Sequence, residues 1–400
     1  AAAAGAATAA LGGGIAGGAR PSRAEVLSAV VQTPRLEVPR VVIGCWQLLE
    51  RNDSEEEALR TLTAFADAGF LAFDTADIYG PSEGLLGRFR RRYAEAHGGT
   101  DNVKVFTKYV PFMDSSRSTA VDTNEVSRQS LQVETLDLVQ YCWYGPFFGQ
   151  GHIEAAGRLQ ELQREGRVAH IGGCNYDTTH LKELVEAGVP IETNQVQFSL
   201  LDLRPENGLL EYCKAQGIKL LCFGTVAGGW LSDKYLGAPA PPEWLPGDLQ
   251  EGTVSKKMYW ESLQSWSGPF GWSLFQDLLR TLRRVADRHP GASIATVAMA
   301  WVQRRLDDTC GGGIIVGVRD TTHLADLQTL KGLRLTDEDL REIREALQRG
   351  RKPAGDVWDR ERLPGSIVYP LLNPTYWPLF GIAYFGPPLL RAATQAMRKV

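Results

Sequence analysis

Eight short apolar runs, each followed by a stretch with helical periodicity, set the tightest limit on what this chain can fold into. The runs are VPRVVIGCW (38–46), FLAFD (70–74), KVFTKY (104–109), LDLVQYCW (136–143), RVAHIGGCN (167–175), IETNQVQF (191–198), GIKLLCFG (217–224) and GGIIVGV (312–318). Their length and flanks are those of buried strands. The first intervening helix opens at Asp53 or Ser54, carries Glu55 to Glu57 in its first turn, where acids suit the dipole, and stops at Gly69. Strand–helix alternation sustained eight times predicts parallel strands joined by helical crossovers. The expected fold is α/β, a (β/α)8 TIM barrel over residues 38–350 with a C-terminal extension, and its chemistry belongs at the strand C-terminal ends. A doubly wound sheet is the competitor. No GxGxxG follows the first strand, which counts against a dinucleotide site of that kind. A stretch at 228–267, rich in Trp, Pro and Gly, reads as an insertion after the seventh strand.

Composition narrows the field. With 44% hydrophobic residues in 400, the chain can bury one large core. A net charge of −4 leaves no electrostatic footprint for nucleic acid. The six cysteines, at 45, 142, 174, 213, 222 and 310, show no CxxC or zinc spacing and read as reduced thiols of a non-secreted protein. Sixteen of the first twenty residues are Ala or Gly and none is acidic. Residues 1–37 are therefore expected to be the remnant of an organelle transit peptide, chloroplast first, with a plain flexible tail as the alternative.

Two strand ends carry polar residues that belong together. The run Phe70 to Phe73 ends on Asp74, with Tyr79 and Gly80 on the following turn, and the next run places Lys108 near its end. An acid, a phenol and a lysine at successive strand ends make a proton-transfer set. A nearby ammonium favours phenolate, so Lys108 is expected to lower the pKa of Tyr79, with Asp74 orienting the lysine. The competing interpretation is a buried ion pair that only fixes loops.

Four segments and a strand-end lysine, in order and at matching spacing, resemble the aldo-keto reductase family: DTADIYG at 74–80 followed by Lys108, GGCNY at 172–176, NQVQFSLLD at 194–202 and VGVRDTTHLADL at 316–327. The resemblance covers about Pro39 to Arg349. It implies hydride transfer between a nicotinamide cofactor and a carbonyl. Tyr79 would then be the general acid, Lys108 its partner and Asp74 the partner of Lys108. In the family a histidine closes the fourth strand; here that position is Cys142, inside LDLVQYCWY. A thiol is a weak donor beside an imidazole. Losing one good donor at a developing oxyanion costs on the order of 2.7–4 kcal/mol of barrier. His152, ten residues on, is either a substitute for that imidazole or a loop or helix-cap residue.

The resemblance also implies a cofactor groove. Cys45 and Trp46 would border it, and Cys174, Asn175 and Gln195 would hold the nicotinamide carboxamide. Phe223 would stack on the ring, and Gly224, Thr225 and Val226 would run along the pyrophosphate. Gly317, Val318 and Arg319 would meet the adenosine phosphate, where a guanidinium favours NADP(H), and His323 and Asp326 fall at the next adenosine positions. Leu327 stands where an adenine-binding Asn is usual. The reaction implied is NADP(H)-dependent reduction of a small-molecule carbonyl. The rival is a catalytically weak nucleotide-binding barrel that acts as a redox sensor or a complex-associated scaffold.

Three features lie outside the resemblance. Cys45, Cys142, Cys174 and Cys222 all fall at strand C-terminal ends and are expected to face one mouth, either as small packing residues or as a redox-tuned site. Trp230, Trp244, Trp260 and Trp266 either line an aromatic pocket or pack the insertion onto itself. From Ser366 to Leu390, 25 residues carry no charge but five prolines, which breaks any ordinary membrane span. Residues 366–400 read either as a peripheral-membrane or protein-complex contact or as a tail folded back over the barrel mouth.

Overall fold

A computed structural model describes residues 35–46, 54–99, 101–111, 116–142, 151–241, 254–364 and 366. Its eight strands are β1 Val41–Gly44, β2 Ala72–Asp74, β3 Lys104–Tyr109, β4 Leu136–Cys142, β5 Val168–Cys174, β6 Ile191–Gln197, β7 Lys219–Phe223 and β8 Gly312–Gly317. They close in sequence order into one barrel. Every pairing is parallel, including the closing pair of β1 with β8. The expected (β/α)8 TIM barrel is therefore the fold.

The helices start and stop for local reasons. Helix α1 (Glu55–Asp67) is capped by Ser54, whose Oγ accepts from the Glu57 amide at 3.2 Å, with Glu55 to Glu57 in the first turn. Such a cap is worth about 1 kcal/mol. Gly69, at φ 85°, supplies the left-handed turn that ends it. Helix α2 spans Ser82–Ala96 and α3 spans Arg117–Leu131. The latter begins at Arg117 because Ser116 caps it, its Oγ accepting from the Thr119 amide. Helices α4 (His152–Arg164), α5 (Thr178–Glu186) and α6 (Leu209–Gln216) complete the crossovers before β7. Between β7 and β8 lie α7 (Val254–Ser267), α8 (Gly271–Asp287) and α9 (Ile294–Asp307), and α10 (Leu324–Gly332) and α11 (Asp337–Gln348) follow β8.

Strand period sorts side chains into two cores. Val42, Ala72, Phe106, Leu138, Leu221 and Ile315 form an inner cluster, with Leu36, Val38 and Phe223 packed on it. Their neighbours Ile43, Phe73, Val105, Val139 and Leu220 belong to the larger cluster that includes helix residues. Fully burying a side chain of this size stabilises by roughly 1.5–3 kcal/mol.

The insertion contains a helix that its Trp-, Pro- and Gly-rich sequence did not announce, α7. Trp230 packs against Tyr235, Trp260 and Trp272 with ring centroids 4.6, 5.3 and 5.9 Å away. Trp266 is fully buried and donates to the Leu347 carbonyl. Of the two readings of these tryptophans, packing the insertion onto itself is what the structure has; Trp244 lies outside the described residues.

The segment after α11 returns to the barrel. Asn207 donates to the Pro353 carbonyl, the Thr178 amide to Asp356, and Ser366 to Glu261. Arg204, Asp202 and Glu361 form a fully buried cluster, with Arg204 Nη1 at 2.7 Å from Glu361 Oε2 and Nη2 at 2.7 Å from Asp202 Oδ2. Residues 1–34 and 367–400, on which the transit-peptide and membrane-contact expectations fall, lie outside the described residues. Among the described residues no helix is long and apolar enough to cross a membrane.

Candidate active site

Residues two apart on a strand share a face, so the inner apolar residues fix which neighbours face the mouth. Ala72 sets Asp74 inward on β2, Phe106 sets Lys108 on β3, Leu138 sets Gln140 and Cys142 on β4, and Leu221 sets Phe223 on β7. On β5 the inward position 172 is Gly. A Cβ there would come within 2.3 Å of Thr193 Oγ1 and crowd Gln140 Cγ at 3.1 Å, so Gly is what lets Thr193 and Gln140 keep their places.

Asp74 is the hub. Lys108 Nζ donates to Asp74 Oδ1 at 2.6 Å and to the Thr75 carbonyl at 2.7 Å. Gln195 Nε2 reaches Asp74 Oδ2 at 2.7 Å, and Gln140 Nε2 reaches the same oxygen at 3.2 Å. Gln195 Nε2 also donates to Gln140 Oε1 at 2.9 Å. Two acceptors thus fix which end of the Gln195 amide carries the nitrogen. Gln140 was not foreseen, although a polar residue two positions before Cys142 in an apolar run was a readable signal. Burial works against the Lys108 ammonium, but Asp74 and then Tyr79 outweigh it and hold its pKa above the ordinary lysine value.

Tyr79 is partly buried, and Lys108 Nζ lies 4.9 Å from its ring centroid. Trp46 stacks on the same ring at 6.3 Å. The expected depression of the Tyr79 pKa is not what the structure gives. Burial pushes the phenol above its ordinary value; Lys108 acts in the lowering direction but is outweighed, and Asp74 adds to the rise. A phenolate loses more hydration there than one ammonium returns. Asp77, in the same turn, is pushed up to about 7, by burial first and then by Glu83, against the hydrogen bond from the Val110 amide.

Cys142 ends β4 beside Cys174, its register partner on β5, with their sulfurs 3.3 Å apart. Asn175 follows at φ 64°, a left-handed conformation that Asn tolerates. Its Nδ2 is 3.9 Å from Cys142 Sγ, and its Oδ1 is buried without a hydrogen-bond partner among the described residues. Arg362 Nη2 donates to the Asn175 carbonyl at 2.9 Å and Nη1 to Asp177 at 2.7 Å, so the C-terminal segment braces this turn. His152 stands at the start of α4 with Nε2 2.9 Å from Glu183, the helix-end placement rather than a replacement imidazole.

The four strand-end cysteines do not all face one mouth. Cys222 alternates with the inward Leu221 and Phe223, so it points outward into the helix-side core, where burial raises its pKa. Cys45 packs in that outer core too, where burial and then Asp74 raise its pKa against the opposing Lys108.

The remaining predicted groove residues divide. Gly317 pairs with Gly44 across β8 and β1, and the space above its Cα is open. Arg319 and His323 are exposed, while Val318 is buried. Asp326 accepts from Ser293 Oγ at 2.9 Å and from Thr296 Oγ1 at 3.3 Å, and so braces the start of α9. Leu327 is fully buried. Thr225 is buried, Val226 packs on the core, and Gly224 is covered: a Cβ there would meet the Tyr259 ring at 2.5 Å. Among residues 224–226 only the main chain is left to meet a pyrophosphate unless Tyr259 moves.

The model of the Aldo/keto reductase family matches residues 40–348. The chain belongs to that family. Aldo-keto reductase YhdN of Bacillus subtilis is 25% identical over 328 residues, 78% of this chain and 91% of that protein. The chloroplastic pyridoxal reductase of Arabidopsis thaliana is 25% identical over 327 residues, 76% of this chain and 82% of that protein. Flagellar radial spoke protein 5 of Chlamydomonas reinhardtii is 32% identical over 262 residues, 56% of this chain. That match spans only 48% of the radial spoke protein, about half its length. Among solved structures, a glycerol dehydrogenase from Gluconobacter oxydans superposes with a TM-score of 0.64 at 23% identity, covering 82% of this chain and 95% of that one. Likeness at that identity speaks for the barrel alone. The family is one of oxidoreductases, so the coarse activity follows from membership.

Proposed function

We propose that this aldo-keto reductase uses NADP(H) to reduce an aldehyde, ketone or quinone-like carbonyl, with Tyr79 as proton donor. The observation that carries it is the buried Lys108–Asp74 pair with Tyr79 and Trp46 stacked above it at the barrel mouth. The mouth fits a nicotinamide carboxamide: among the described residues Asn175 Oδ1 is a buried acceptor lacking a donor, and an amide N–H is what it lacks. Gln195, with its nitrogen committed to Asp74 and Gln140, has its oxygen to offer. The open space above Gly317 and a guanidinium-bearing residue beside it, the exposed Arg319, suit a ribose phosphate.

The cofactor, when bound, supplies the hydride. Tyr79 keeps its proton through neutral pH, because burial holds its pKa high, and gives it to the carbonyl oxygen. Lys108 stabilises the phenolate left behind. Asp74 holds that ammonium charged and in place, and Gln140 and Gln195 hold Asp74. Cys142, where the family has an imidazole, offers the carbonyl oxygen only a weak donor, so turnover is slow. Quenching of protein fluorescence by NADPH, followed by consumption of bound NADPH with a carbonyl panel, tests the proposal. Binding followed by consumption supports it; binding without consumption by any carbonyl defeats it.

One observation favours a second reading, a barrel that holds nucleotide inside a larger assembly: the similarity to a radial spoke protein. Cys142→His separates the two. A reductase weakened at that position gains turnover, on the order of the 10²-fold one good donor is worth. A scaffold gains none.

A further inference from the structure

The cysteine pair at the ends of β4 and β5 has chemistry of its own. Cys142 and Cys174 are register partners on adjacent parallel strands, both pointing into the barrel mouth. Their sulfurs are 3.3 Å apart, and both side chains are free thiols. Neighbouring strands run about 4.8 Å apart, inside the roughly 4.4–6.8 Å between Cα atoms that a disulfide spans. Bonding therefore calls for a turn of two side chains, without parting the strands. The small apolar patch around them is made by Val110 and Ile78. The other strand-end cysteines differ: Cys222 is turned outward, and Cys45 packs in the outer core.

We propose that Cys142 and Cys174 form a reversible dithiol–disulfide pair, oxidised by a hydroperoxide, that switches the nicotinamide end of the site. The switching of the site rests on the cofactor placement proposed above; the chemistry of the pair does not. One thiol loses its proton, and its sulfur attacks the terminal oxygen of the hydroperoxide. The O–O bond breaks, the leaving oxygen takes up a proton as an alcohol (water, for hydrogen peroxide), and the sulfur becomes a sulfenic acid. The second sulfur then attacks the first. The S–S bond forms, the S–O bond breaks, and hydroxide leaves as water with the second thiol's proton. Two electrons pass from the sulfurs to the peroxide, and a dithiol reductant reverses the reaction.

The reaction reaches the site through Asn175. Its backbone follows Cys174 directly, its side chain lies 3.9 Å from Cys142 Sγ, and its Oδ1 is the acceptor assigned to the carboxamide. Turning Cys142 Sγ into a bond with Cys174 takes it from its place beside Asn175 Nδ2, so the Asn175 side chain shifts while Arg362 still holds its carbonyl at 2.9 Å. Losing the Asn175 contact weakens NADPH binding about tenfold, the effect of one hydrogen bond. The thiols are 4% and 3% exposed, so only a small oxidant reaches them. Burial also raises the pKa of Cys174, with Lys108 opposing, so the reaction speeds up as pH rises.

The full-length protein is treated with hydrogen peroxide, and its intact mass, free thiols and cross-linked peptides are followed before and after a dithiol reductant. The expected result is loss of two thiols and two hydrogens, a peptide pair joining Cys142 to Cys174, and full reversal. Cys142→Ser abolishes the cross-link and leaves a sulfenic acid on Cys174, whereas Cys310→Ser leaves the cross-link intact. Two thiols that stay free under conditions oxidising a small dithiol, or a cross-link between other cysteines, overturn the proposal. NADPH affinity is read in the same samples. A cross-link that forms and leaves affinity unchanged overturns the switch. A reduced protein that binds no NADPH overturns the cofactor placement while the cross-link stands.

Discussion

Separating Asp74 from Lys108 probes the centre of the site and has a magnitude that follows from its burial. Both side chains are nearly inaccessible, at 6% and 3%, and 2.6 Å apart. Asp74→Asn keeps the shape and leaves a buried ammonium among neutral groups, the Thr75 carbonyl and the Tyr79 ring with them; Lys108→Met leaves a buried carboxylate with two amide donors. Breaking a buried pair from one side costs about 3–5 kcal/mol, because the surviving charge has lost its partner. Removing both leaves no orphan charge, so the double variant is less damaged than the sum of the singles by about 2–4 kcal/mol. Urea unfolding of the four proteins reads this directly through their midpoints. Additive losses would refute the reasoning, since they would mean the two groups do not meet in solution.

Two further predictions rest on other contacts. Arg362→Leu removes the donors to the Asn175 carbonyl and to Asp177, and is expected to weaken NADPH binding about tenfold while the barrel unfolds at nearly the wild-type midpoint, measured by fluorescence titration and urea unfolding. Asp77 sets a pH dependence: its carboxyl has a pKa of about 7 when folded against an ordinary value near 3.9, so the folded state holds the extra proton between those limits. Its stabilising effect is complete below the lower value and is lost as pH rises through about 7. Asp77→Asn is therefore expected to gain on wild type by up to about 4 kcal/mol from pH 4 to 8, read as the difference between their unfolding curves.

The barrel was legible because its strands are short apolar runs with parity and its helices carry their own starts and stops, as Ser54 and Gly69 do. Helix α7 was not, since Trp, Pro and Gly dominate the insertion around it. At the site, Asp74, Tyr79 and Lys108 could be placed by strand ends alone. Strand parity would also have turned Cys222 outward, given its place between Leu221 and Phe223. What sequence could not show was desolvation: it places Lys108 near Tyr79 but not the burial that reverses the direction of the phenol's shift. Nor could it show the brace, in which Arg204 meets Glu361 across 157 positions and Arg362 meets Asn175 across 187.

The most direct measurement is single-turnover consumption of pre-bound NADPH by wild type and Tyr79→Phe with a reactive carbonyl. The account predicts unchanged NADPH affinity and a rate lower by about 10²–10⁴-fold, the usual contribution of a positioned general acid. Equal rates in the two proteins would contradict it, as would a wild-type protein that binds neither oxidised nor reduced nicotinamide nucleotide.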